Sequence, residues 1–103
     1  MAVTADQVRE LVARLADTVE GAHHGHPDFR VKKKIFATLS EAEDRCALRL
    51  SHVEARALAA SRPSDVRLVS DREPIAWISI DLAAIAADEL ADLLEEAYKL
   101  RAP

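Results

Sequence analysis

Several things are scarce in this chain, and each scarcity excludes something. There are two glycines, one cysteine and only 4% aromatic residues. A single cysteine, Cys46, rules out an internal disulfide and fits a reducing compartment, the cytoplasm. Two glycines leave little room for a phosphate-cradling loop. Neither G-x-x-x-x-G-K nor G-x-G-x-x-G occurs, and G-x-S-x-G is missing too. No apolar run approaches the ~20 residues that cross a bilayer, so no membrane contact is expected. The opening M-A-V-T-A-D-Q has no basic n-region and no apolar h-region, so no secretory leader is expected. Positive charge is not in excess either. The net charge is −4, whereas dedicated non-specific nucleic-acid binders are strongly basic.

What is present suits one small domain, residues 1–103, with an aliphatic core. Half the residues are apolar, drawn mainly from Leu, Val, Ile and Ala. Charge is uneven along the chain. Residues 21–36 hold Arg30, Lys32, Lys33 and Lys34 against Asp28 alone, while residues 83–103 hold five acids against Lys99 and Arg101. An anionic partner is therefore expected near the lysine run.

Periodicity gives the elements. Thr4 and Gln7 form a T-x-x-Q capping box, in which each side chain satisfies an orphan amide of a helix start. Val8, Leu11, Val12, Leu15 and Val19 follow at helical spacing, predicting a helix over 4–20 with Gly21 as its C-terminal stop. Residues 22–27, A-H-H-G-H-P, read as a loop. Period-2 alternation then predicts a strand at 29–31, a tight turn at Lys32 and Lys33, and strands at 34–40 and 45–50 separated by the acidic turn 41–44. Ser51 and Glu54 form a second capping box, opening a helix that ends near Ser61 ahead of Pro63. Its apolar face is small: Val53, Ala57 and Leu58. Strands at 66–69 and 75–82 flank a turn at 71–74. A last helix starts at Asp88, and Asp81 could cap an earlier turn. The order α-β-β-β-α-β-β-α argues for a two-layer α+β fold with helices packed on one face of an antiparallel sheet.

Three stretches carry a family resemblance: P-D-F-R-V-K-K-K-I-F-A-T-L, P-I-A-W-I-S-I-D-L and D-E-L-A-D-L-L-E-E-A-Y-K-L. They resemble the MmcQ/YjbR family of small bacterial proteins over nearly the whole chain. The telling residues are Lys34, Phe36 and Ala37 together with Trp77. One departure stands out: the family usually has a glycine where Lys33 sits. The resemblance implies a double-wing, secretion-chaperone-like α+β fold and DNA binding. It carries over no catalytic residue.

Candidate sites follow. Arg30, Lys32, Lys33 and Lys34 at a hairpin tip can lie along a phosphate backbone, positioning a duplex without reading its sequence. The same charges also suit a solvated turn that keeps a sheet edge from aggregating. If Ile35 and Leu48 face the helices, then Phe36, Arg49, Arg67 and Trp77 face outward. There they could stack on bases or anchor a protein partner, or Phe36 and Trp77 could simply pack on each other. His23, His24 and His26 suggest metal, but they share one loop and lack a second spaced cluster, so no metal or other cofactor is expected. Cys46 falls on the core face as a small apolar residue. The reading is a non-enzymatic binding protein acting on DNA through its basic hairpin. The alternative is a protein-interaction or chaperone-like module, a homodimer, working through an open sheet face.

Overall fold

The structure is a computed structural model and describes residues 2–23 and 25–102, without the side chain of His23. Helix α1 spans Ala5–Ala13, and strands β1 (Thr18–His23), β2 (His26–Val31), β3 (Lys34–Ser40) and β4 (Arg45–Ser51) follow. Then come α2 (His52–Ser61), β5 (Val66–Ser70), β6 (Ile75–Asp81) and α3 (Ala87–Lys99). A single 3-10 turn at Leu82–Ala84 joins the last two, capped by the Asp81 side chain. The strands form one sheet in the order β1-β2-β3-β4-β6-β5, antiparallel at every pairing. On one face α2 lies on β5 and β6, α3 lies on β3 and β4, and α1 packs against α3. This is the α+β class and element order expected, with one further strand at the edge.

That strand corrects the first expected helix. The Thr4–Gln7 capping box forms as predicted. The helix nevertheless stops at Ala13, because residues 14–17 turn away with Asp17 in the left-handed region (φ 62°). Local bonds fix the turn. The Thr18 hydroxyl donates to the carbonyls of Val12 and Leu15, and the Tyr98 hydroxyl donates to the Ala16 carbonyl at 2.7 Å. Helical spacing of Leu15 and Val19 is coincidental. Val19 lies on the edge strand at 63% exposure. Gly21 is no helix cap but a β1 residue opposite Asp28, where a Cβ would come within 2.9 Å of the Asp28 carboxylate. The expected loop at 22–27 is largely the β1–β2 hairpin, turning at Gly25 (φ 81°).

The core is the set of side chains trapped between sheet and helices. Leu48, Leu50, Ala76, Ile78 and Ile80 alternate inward from β4 and β6, and Leu90, Leu93, Leu94 and Ala97 face them from α3. Full burial of such an aliphatic side chain contributes roughly 1.5–3 kcal/mol. Helix α2 is lightly buried, as expected, but through Ala55 with Leu58 and Ala59; Val53 is 80% exposed. The N-cap of α3 is Ala86, two residues before the expected Asp88, which lies in the first turn. Strand β6 stops at Asp81, one residue short of expectation. Among the described residues no helix is long and apolar enough to cross a membrane.

One strand breaks its own alternation. Ala37 pairs with Phe29 and Ile35 with Arg30, so β3 spends one residue more than β2 between these pairs. The extra residue is Phe36, a β-bulge. It turns Phe36 inward beside Ala37 and leaves Ile35 half-buried on the open face, reversing the faces expected for both. Phe36 is fully buried, edge-on to Tyr98 of α3 with ring centroids 5.8 Å apart.

Candidate functional site

The sheet face away from the helices is the site. Antiparallel pairing places cross-strand partners on a common face. Asp28 stands opposite Thr38, Thr38 opposite Ala47, Ala47 opposite Ser79 and Ser79 opposite Arg67, a row across five strands. Arg49 stands opposite Trp77 in the next row. The expected set Arg49, Arg67 and Trp77 is thus brought onto one face. Phe36 is removed from it by the bulge.

Two shallow cavities indent this face. One, about 260 Å³, lies toward the acidic end of the sheet and includes His26, Ser40, Glu43, Arg45 and Ser79. The other, about 470 Å³, is floored by Ile35, Ala47, Val69 and Trp77 with Arg101 at its side. A second bulge shapes it. Leu68 pairs with Ile78 and Ser70 with Trp77, so Val69 is the surplus residue. It stands 60% exposed at the rim. Arg101, just past α3, anchors on this cavity by donating its Nε to the Ile35 carbonyl at 3.0 Å.

Arginine partnership differs sharply across the molecule. On the helical layer Arg9 meets Asp6, Glu20 and Glu41, Arg56 meets Asp71, and Arg62 meets Asp65 and Glu89. Arg30 is locked too. Its Nε and Nη2 grip the fully buried Asp28 carboxylate at 2.8 and 3.1 Å, and that carboxylate raises its pKa. A guanidinium held this way has its Nε and Nη2 committed to Asp28. Arg45 leans on Ser79 through its hydroxyl (2.7 Å) and carbonyl (2.9 Å). Among the described residues, Arg45, Arg49, Arg67 and Arg101 form no ion pair with a carboxylate. Burial, and after it the Arg101 charge, pulls the Arg49 pKa below its ordinary value. The Arg49 Nη1 is buried and has no hydrogen-bond partner.

The β2–β3 hairpin tip lies at the same end of the sheet as Trp77 and Arg49. Lys32 and Lys33 are its central residues, with φ of 52° and 66°. Positive φ at both positions is the twist a two-residue hairpin turn needs, usually supplied by Asn or Gly. Lys32, Lys33 and Lys34 are all exposed. Of the histidine loop, His24 and the His23 side chain lie outside the described residues; His26 borders the smaller cavity. Cys46 is fully buried, and desolvation pushes its thiol pKa up to about 12, which makes it a poor nucleophile.

The fold and face define a small two-layer α+β protein with one sheet face covered and the other open. The chain belongs to the YjbR family, whose model matches residues 13–100. Two solved structures share the fold. A Deinococcus radiodurans protein with a DUF419 domain has a TM-score of 0.83 at 21% identity, covering 94% of this chain and 77% of that one. A Pseudomonas syringae protein has a TM-score of 0.74 at 18% identity, covering 96% and 99%. At such identities the likeness is one of fold. No curated protein matches the chain.

Sequence reasoning missed Ile35, Val69 and Arg101. The bulge at Phe36 displaced Ile35 from simple alternation, whereas Val69 keeps the phase of Arg67. Nothing before folding says that the residue after a terminal helix returns to the sheet.

Proposed function

We propose that this protein is a non-enzymatic binding protein that holds nucleic acid at the cationic end of its sheet. Lys32, Lys33 and Lys34 contact phosphate, and the open face with Arg49, Arg67 and Trp77 lies alongside. The observation that carries this reading is the turn itself. Two consecutive lysines occupy left-handed backbone where glycine or asparagine would cost less, and such local strain gathers at functional sites. The lysines position the ligand as point charges and do not select sequence.

The test is anisotropy of the single tryptophan, Trp77, as a 20-base-pair duplex is titrated in at several salt concentrations. Three phosphate contacts give a slope of log K on log salt of about −3. The triple variant Lys32→Glu, Lys33→Glu, Lys34→Glu should abolish binding. Unchanged binding by that variant would remove the proposal.

A second reading has its own support. Trp77 beside an exposed Val69 on an open sheet suits a protein partner, a second copy of this chain included. Sedimentation at increasing concentration checks self-association, which Trp77→Ala should weaken.

A further inference from the structure

Arg49 and Arg101 leave a physical problem unsolved. Arg9, Arg30 and Arg62 close their forks on carboxylates. Among the described residues Arg49 and Arg101 have no carboxylate partner: the Arg49 Nη1 is buried and bonds to nothing, and the Arg101 charge adds to burial in lowering the Arg49 pKa. Leaving a buried donor unmade is costly, and two neighbouring cations disfavour each other. Arg101 spends its Nε on the Ile35 carbonyl, which sets its orientation and leaves its Nη groups uncommitted. An oxyanion at this spot would answer the buried Arg49 donor and screen the repulsion. Guanidinium forks match carboxylate and phosphate geometry.

The cavity that Arg101 lines, whose Trp77 is the cross-strand partner of Arg49, decides what the anion is attached to. Its floor is Ile35, Ala47, Val69 and Trp77, and no acidic side chain lines it among the described residues. Its volume, about 470 Å³, falls in the roughly 300–1,000 Å³ range of small-molecule sites. Sites of that kind are mostly apolar with a few polar groups that fix orientation. We propose that this cavity binds a small organic anion, its carboxylate or phosphate head held by Arg49 and Arg101 and its apolar body laid on Trp77. The site goes beyond nucleic-acid binding at the hairpin and uses none of the three lysines.

The test uses the whole chain and three probes of equal tail length: octanoate, octyl phosphate and neutral octanol. Trp77 fluorescence reports occupancy of the cavity. Octanoate or octyl phosphate should bind at least about tenfold tighter than octanol, and whichever is tighter names the head group. Arg49→Gln and Arg101→Gln should each weaken the anions by about tenfold or more, the fold-change of one lost charge-assisted bond. Both should leave octanol binding as it was. Arg49→Lys, which keeps the charge and loses the fork, should fall between. Thermal unfolding of each variant confirms that it is folded, and Arg101→Gln serves should Arg49→Gln fail. The proposal is overturned if the anions bind no tighter than octanol, or if the folded arginine variants keep full anion affinity. The lysine triple variant should bind octanoate normally, so failure of the hairpin reading and failure of this one remain separate results.

Discussion

The two faces of the sheet are made from the same strands and do opposite work. On the covered face, Leu48, Ile78 and Ile80 alternate with strict period and vanish under α2 and α3. On the open face the alternate positions hold Thr38, Ala47, Arg49 and Trp77, none fully buried. Charge follows the same division. Arg9, Arg56 and Arg62 of the helical layer are matched to carboxylates, as with Arg9 to Glu41 and Arg62 to Glu89. Those of the open face, Arg30 excepted, lean on a hydroxyl, on carbonyls or on nothing. One face has its interactions completed by folding. The other reaches the end of folding with donors to spare, and that surplus is what a binding surface is in physical terms.

Substitution can break this contrast, and the largest expected effect comes from Phe36 against Trp77. Phe36→Ala should cost about 3–5 kcal/mol, since it empties a fully packed site. Trp77→Ala should cost about 1 kcal/mol or less, because its surroundings are already half open. Urea unfolding of both variants checks the pair, and equal losses would mean that the open face is core after all. A smaller effect of opposite sign is expected at the hairpin. Lys33→Gly relieves left-handed strain and should stabilise the fold by about 1 kcal/mol while weakening duplex binding. A gain in stability without loss of binding would detach the strain from the function.

The smallest effect concerns Glu54 at the start of α2. Burial, and then the charge of Glu96, raise its carboxyl pKa from 4.5. A raised carboxyl favours the protonated form in the folded state. Its contribution is therefore intact at low pH and is lost as pH rises through the folded value. Glu54→Gln should stabilise the protein by a few tenths of a kcal/mol at pH 7. That benefit should shrink to nothing well below pH 4.5. Melting curves at pH 3.5 and pH 7 measure the difference.

Legibility in the sequence tracked the locality of the cause. Capping at Thr4 and Ser51, the turn at Lys32 and Lys33, and the alternation of β4 and β6 depend on neighbours a few residues away, and all are visible in the sequence. The edge strand β1 was hidden because Leu15 and Val19 happen to keep helical spacing. What ends α1 early includes a hydroxyl from Tyr98, 82 residues distant. Half of the candidate face was legible too. Arg49, Arg67 and Trp77 follow from strand phase. The Asp28 grip on Arg30, the two bulges and the return of Arg101 are tertiary facts that no local pattern encodes.

The bulge at Phe36 has a meaning for how such a chain can change over time. A strand that carries one residue more than its neighbour has absorbed the equivalent of a single-codon insertion without altering which way Ile35 or Ala37 points. Removing Phe36 would leave the rest of β3 in phase with β2, so the ladder itself does not require the residue. What would be lost is the ring against Tyr98, and with it support for the side chain that ties the end of α1 to α3. The insertion is thus neutral for the sheet and consequential for the layer above it. Length variation at this point in relatives should therefore travel with changes at the position of Tyr98 and not with changes on the open face.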